Sequence, residues 1–338
     1  MKGIQVRVQL ALRYLTTALL VSATHIVQCQ AQPCDLACDE PRPSICDGFS
    51  MASLGSLVGK TDHCFDDFVS PMINFVFFED PRTLTEFRPI FLHHKMPSAV
   101  GNLGLPGGEV QLYAAQFRIA LTERLSLIAV KDGYVVSNQV PGSTLDGLLD
   151  DGWASIAAGL KYNFYRDAER GTLVSAGFTY DIPFGSQRTL QDVGDGEFHL
   201  FVSGGQRYFG GNAHTLSTFG FRVPANSAAQ TTSLHWSNHL DVRVTNWLYA
   251  VTEASWWHWL DSANPPGIAG VGAVGFAGQD LLNINATNVT GNNLVTQGAG
   301  IRIKPGQNIE LGAIYEFPLT GFTDMIEDRF TLDMIVRY

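Results

Sequence analysis

From residue 84 to the C-terminus, apolar and polar residues alternate with a period of two, and turn signals break the pattern at regular intervals. Ala154, Ile156, Ala158, Leu160, Tyr162 and Phe164 share one face of a predicted strand, with Ser155, Lys161 and Asn163 on the other. Val174, Ala176, Phe178, Tyr180 and Ile182 likewise oppose Ser175, Thr179 and Asp181. In 233–244, Leu234, Trp236, Leu240, Val242 and Val244 oppose Ser233, His235, Ser237, His239, Asp241 and Arg243. In 308–319, Ile309, Leu311, Ala313, Tyr315, Phe317 and Leu319 oppose Glu310 and Glu316. The last strand sets Phe330, Leu332, Met334, Val336 and Tyr338 against Arg329, Thr331, Asp333 and Arg337. Fainter versions lie near 84–93, 109–121, 125–135, 197–208, 215–223, 248–259 and 293–304. The sum is about twelve strands of about ten residues, the length a tilted strand needs to cross a bilayer.

The connections sort into two kinds. Short turns fall at Thr122-Glu123-Arg124, Asp167 to Gly171, Gly210 to His214, Thr245-Asn246 and Pro305 to Asn308. Longer links fall at 94–108, 136–152, 184–196, 224–231, 261–292 and 320–328, and the two kinds alternate along the chain. A barrel with tight periplasmic turns and long outer loops has this rhythm, whereas a soluble sandwich has no reason to sort its loops. The expected fold is therefore all-β: a transmembrane antiparallel β-barrel over 84–338, preceded by a short irregular periplasmic segment. Tyr208, Trp247, Tyr249, Trp256, Trp257 and Trp259, near predicted strand ends, are expected in interfacial girdles. The terminal run Arg329 to Tyr338 resembles the outer-membrane assembly signal, which implies the barrel assembly machinery as a partner.

Composition removes a tension in this reading. Hydrophobic residues make up 45% and charged residues only 16%, yet no apolar run is long enough for a spanning helix. Strands with one lipid-facing and one lumen-facing side satisfy both facts. At the N-terminus, Lys2, Arg7 and Arg13 precede a short apolar stretch from Tyr14 to Val27, and Cys29-Gln30-Ala31 offers a cleavage site. Residues 1–31 thus read as a signal peptide, and a lipoprotein cleavage before Cys29 is disfavoured by Gln28. Cleavage would take three positive charges and no acids from a net charge of −10, leaving −13, so nucleic acid is not an expected partner.

Residues 32–83 differ in character. They hold Cys34, Cys38, Cys46 and Cys64, a Gly/Ser region around 48–59, and the run Phe75-Val76-Phe77-Phe78-Glu79-Asp80-Pro81-Arg82. An even cysteine count in an exported segment favours two disulfides, with three possible connectivities. The rival four-thiolate metal site lacks the paired short knuckles of zinc ribbons, since three, seven and seventeen residues intervene. The segment is either a periplasmic extension or a plug folded into the lumen.

The sharpest local motif is His235-Trp236-Ser237-Asn238, which resembles the His-x-Ser-Asn of outer-membrane phospholipase A and the lipid A deacylase. In those families a His activates a Ser facing lipid, and a third polar group orients the His. Here strand parity turns His235 and Ser237 inward. Tyr249 stands where the third group is expected, Glu253 is the nearest carboxylate in the next strand, and His239 replaces the usual small residue after Asn238. The expected role of His235, His239, Asp241 and Glu253 is a hydrogen-bonded lumen cluster, with catalysis or metal binding as the alternatives. Parity also turns Arg118, Lys161, Arg207, Arg222, Arg243 and Arg302 inward, with Asp181, Glu310, Glu316 and Asp333. Opposite charges across a narrow lumen either orient polar solutes or pair with one another and fill the interior. The acidic runs Asp146 to Asp151 and Asp192 to Glu197 read as solvated outer loops. No phosphate-cradling glycine loop, zinc-protease helix or Gly-x-Ser-x-Gly elbow is present.

The run Ser155 to Tyr162, Ser-Ile-Ala-Ala-Gly-Leu-Lys-Tyr, is followed by a turn and by Gly177 to Gly185, Gly-Phe-Thr-Tyr-Asp-Ile-Pro-Phe-Gly. Together they resemble the outer-membrane family named for the phenol meta-cleavage pathway. That resemblance covers mainly residues 150–185 and implies a barrel passing small, often aromatic or hydrophobic, molecules. It brings no catalytic residues, and the cysteine-bearing segment departs from the family pattern. The expectation is a non-enzymatic, porin-like channel in the outer membrane of a Gram-negative-type bacterium, surrounded by lipid and without a cofactor. An outer-membrane lipid hydrolase using His235 and Ser237, or a structural barrel without a pore, is the alternative.

Overall fold

The structure, a computed structural model, describes residues 59, 61–98, 107–143, 145–191, 194–264, 276–278, 280–282, 284 and 286–338. The predicted signal peptide and Cys34, Cys38 and Cys46 lie outside the described residues. Fourteen strand segments follow in order: β1 (Glu86–Lys95), β2 (Glu109–Ala120), β3 (Leu125–Lys131), β4 (Tyr134–Asn138), β5 (Gly152–Trp153), β6 (Ile156–Asp167) and β7 (Thr172–Ile182). The second half comprises β8 (Glu197–Tyr208), β9 (Ala213–Pro224), β10 (Thr232–Arg243), β11 (Leu248–Asp261), β12 (Asn293–Ile303), β13 (Ile309–Pro318) and β14 (Asp328–Arg337). β3 and β4 are two parts of one stave, as are β5 and β6, because both parts pair with the same neighbours. Twelve antiparallel staves result, and β1 closes them into a barrel by pairing with both β14 and β2.

The interruption between β3 and β4 has a local cause. Gly133 takes a positive φ of 125°, and the Asp132 carboxylate accepts the Ala115 N–H at 2.8 Å in place of a strand carbonyl. The ladder resumes through the Ala154 N–H, which donates to the Gly133 carbonyl at 2.8 Å.

Alternation sorts the side chains as the pattern predicts. Leu160, Phe178, Leu200, Phe219 and Trp236 project outward from adjacent staves and are exposed. A continuous apolar belt of this kind is incompatible with water and suited to hydrocarbon. The intervening residues point inward and are buried, among them Ser175, Thr179, Thr218, Ser233 and Ser255. Three aromatic residues expected in the girdles do otherwise. Tyr249, Trp257 and Trp259 share the parity of Glu253 on β11 and are buried in the interior, while Tyr208 and Trp247 are exposed at the short-turn rim.

The interior is not filled by the wall alone. About eight strands enclose just enough space for their own side chains, and twelve leave room for an occupant. Residues 61–85 supply it. They start at the short-turn rim, where Thr61 N–H donates to the Tyr338 carbonyl, and reverse at Asn74, whose φ is +48°. The reversal is closed by Phe77 and Phe78 N–H groups donating to the Asn74 carbonyl at 2.9 and 2.8 Å. The segment then returns to the same rim to begin β1 at Glu86.

Candidate functional site

In the half of the lumen nearest the short turns, the plug is held by ionic and main-chain hydrogen bonds. Arg166 on β6 grips Asp62 at 2.6 and 2.8 Å, and Arg207 on β8 grips Asp67 while donating to the Cys64 carbonyl at 2.9 Å. Lys304, just beyond β12, reaches the carbonyls of Asp66 and Phe68. Arg302 donates to the Ser70 carbonyl at 2.9 Å and Arg88 to the Pro71 carbonyl at 2.7 Å. Acidic wall residues take the plug's amides. Glu253 accepts from Met72 (2.9 Å) and Ile73 (2.6 Å), and Glu310 accepts from Ser70 at 3.1 Å. A returning strip of plug then places Glu79 between Arg118 and Lys161. Every backbone polar group buried without a partner costs free energy, so a lumen that satisfies an irregular segment this fully is built around it.

A row of alternating acids and imidazoles crosses the floor of this arrangement. His214 lies 3.0 Å from Asp67 and 2.8 Å from Asp241, and His239 lies 3.1 Å from Asp241 and 2.7 Å from Glu253. The predicted cluster is therefore assembled from His239, Asp241 and Glu253, but without His235. His235 turns instead to His199, with Nε2 atoms 2.8 Å apart. The two rings meet above Gly220 on the intervening β9, where a Cβ would stand 2.5 Å from both nitrogens. Sequence reading missed His199, which sits at inward parity on the predicted 197–208 strand, and His214, which it placed in the Gly210–His214 turn although β9 already begins at Ala213.

The structure also separates the motif that resembled a hydrolase. Ser237 bonds to Ser255 at 2.7 Å and accepts from the Asn74 amide at 2.9 Å, so its partners are another serine and the plug. No hydrogen bond joins it to His235 among the described residues, and both side chains are buried in the lumen away from lipid. Of the other inward candidates, Asp333 joins Arg88 and Arg302, Glu310 faces Arg337 and Arg302, and Arg243 reaches Asn212 in the β8–β9 turn.

The other half of the interior is largely apolar, with the buried pairs Arg222–Glu197 and Arg329–Asp280 set among its hydrophobic side chains. Phe75, Val76 and Phe77 at the plug's tip meet Ile90, Leu92, Val110, Leu112, Ile128 and Val130 from the wall, with Trp257 and Trp259 opposite. Phe77 stands edge-on to His199 and Trp257, with the Arg222 guanidinium 4.9 Å from its ring centre. Phe276, Leu281, Leu282, Met325 and Ile326, from the β11–β12 and β13–β14 links, close over this region.

The two links are tied by Asp324, whose carboxylate accepts the N–H groups of Ala277 (2.9 Å) and Gly278 (2.8 Å). Burial pushes this carboxyl up to about 7, against the pull of those two bonds. Because the closed arrangement raises the value, its stability is complete below the ordinary carboxylate range and is lost as pH climbs toward about 7. Limited proteolysis of the links should accordingly be faster at pH 8 than at pH 5, relative to an unfolded control. Asp324→Asn, which cannot ionise, should remove that difference.

A closed antiparallel barrel with an apolar exterior, a polar and plugged interior and its short turns gathered at one rim is a transmembrane β-barrel of the outer-membrane type. No protein-family model and no curated protein matches the chain. Among solved structures it is similar to an outer-membrane channel from Pseudomonas putida F1, with a TM-score of 0.52 and 13% identity over 80% of this chain and 100% of that one. The KdgM porin (TM-score 0.39, 9% identity, 74% of this chain, 99% of that one) shows a looser likeness. So does the translocator domain of the autotransporter NalP from Neisseria meningitidis (0.43, 12%, 75% and 88%). At these identities the likeness is one of fold.

Proposed function

We propose that the chain is an outer-membrane channel for small molecules whose passage is controlled by its own N-terminal segment. One observation carries this reading: the lumen is filled by an irregular stretch of polypeptide, residues 61–85, held largely through polar contacts to the wall, rather than by the wall's own side chains alone. A barrel serving only as an anchor gains nothing from a lumen wider than its side chains can fill. The strand and corner of 155–185 support kinship with the family named for the phenol meta-cleavage pathway. The apolar outer half suits the hydrophobic bodies of solutes that such kinship implies. The reading includes no catalytic centre and no cofactor. Its partners are the surrounding lipid, the solute and the barrel assembly machinery, which would engage β14.

Planar-bilayer recording tests it. The intact protein should conduct in brief, infrequent openings, and Glu253→Gln, which weakens the hold on Met72 and Ile73, should lengthen them. Silence from both proteins, each folded by heat-modifiability on a gel, would leave the structural barrel as the better reading. The hydrolase reading would return only if detergent-dependent esterase activity were found and then lost on Ser237→Ala.

A further inference from the structure

The plug and the wall around it are opposite in charge. Among the described residues, eight cationic side chains of the wall and its rim bond directly to the plug: Arg88, Arg118, Lys161, Arg166, Arg207, Arg302, Lys304 and Arg337. Only two wall carboxylates do so, Glu253 and Glu310. The plug answers with Asp62, Asp67 and Glu79, each gripped by wall cations, and with its own Asp80–Arg82 pair. Wall acids such as Glu86 and Asp333 already hold Arg337, Arg88 and Arg302. Removing the plug would therefore uncover positive charge, chiefly on the β2 to β8 side.

The densest point is the seat of Glu79. Arg118 meets this carboxylate with two parallel bonds of 2.9 and 2.7 Å, and Lys161 adds a third of 2.7 Å. Arg118 retains Glu86 as a second partner, but Lys161 has no other carboxylate among the described residues. A planar guanidinium fork plus an ammonium, buried on all sides, is a site shaped for a carboxylate.

We infer that Arg118 and Lys161 form a solute site, occupied in the closed state by Glu79, that admits small organic carboxylates and makes the opened channel anion-selective. The inference rests on the channel reading and names the class of molecule for it: an acid group for the cationic half of the lumen and an apolar body for the other. A narrow lumen of low dielectric makes such wall charge decisive for which ions pass.

The test uses full-length protein in planar bilayers under a KCl gradient. Glu79→Gln removes the carboxylate charge seated between Arg118 and Lys161 but keeps the side chain's shape. It should raise open probability, and the reversal potential should show chloride favoured over potassium by roughly fivefold. Asp67→Asn, at the rim, should do the same and serves if Glu79→Gln yields no heat-modifiable barrel. Adding Arg118→Gln and Lys161→Gln to either should bring the two ions near parity, and sodium acetate added to the wild type should increase its openings. Potassium preference, or selectivity unmoved by the double substitution, would overturn the carboxylate site while leaving a channel. No conductance from any folded variant would overturn both.

Discussion

Asp333→Ala should destabilise the barrel by about 3–5 kcal/mol, because it leaves the buried Arg88 guanidinium without its ion-pair partner and Arg302 with only the more distant Glu310. Arg88 Nε donates to Asp333 at 2.7 Å and Arg302 Nη2 at 2.8 Å, and all three side chains are almost wholly inaccessible. The carboxylate joins β14 to β1 on one side and reaches across β13 to β12 on the other, so it crosses the closure of the barrel. Gly312 on β13 makes this reach possible: a Cβ there would stand 2.4 Å from the carboxylate and 2.6 Å from Met72 of the plug. Urea unfolding in detergent micelles, followed by loss of heat-modifiability, measures the effect. A shift below about 1 kcal/mol, the size expected of a surface pair, would mean that the lumen is wetter around Asp333 than its burial implies.

Val202→Arg should cost about 2–4 kcal/mol when the barrel is folded into lipid vesicles, and much less in a short-chain detergent. Val202 lies midway along β8, is 49% exposed, and sits between Ala176 and Phe219 on the outer surface. A charge at that depth faces the middle of the hydrocarbon, where no water solvates it. Ser203→Arg, one residue on, would instead point into the lumen, and its cost would come from overfilling packed space around Ser175 and Thr218. The pair thus separates a membrane wall from a soluble surface. Equal tolerance of Val202→Arg in lipid and detergent would place this face in water.

Much of the architecture was legible because a strand's side chains take opposite sides at every step. A single well-patterned stave, such as 233–244, announces both of its faces, and the parity of His239, Asp241, Glu253 and Glu310 follows without reference to their neighbours. The same rule, applied to Trp257 and Trp259, would have turned them inward. Nearness to a strand end points instead to the girdle, and parity is what decides their burial. Parity says nothing about height or register, however. It brings His235 and Ser237 to one face two residues apart, but it does not reveal that β9 carries Gly220 and lets His235 lean across to His199.

The alternating pattern by itself determined that this chain folds as a barrel, which residues meet lipid and which meet the interior. Those outcomes follow from local geometry and from the free energy of moving apolar side chains out of water. Tertiary structure alone decided that residues 61–85 enter the lumen, reverse at Asn74 and seat Glu79 between Arg118 and Lys161. That segment has no period to read, and its conformation is set by hydrogen bonds to side chains as far as 267 residues away, such as Arg337 donating to the Ser70 hydroxyl. A polar group buried in a lumen takes whichever partner the closed barrel brings within reach, and that reach exists only once the barrel has closed.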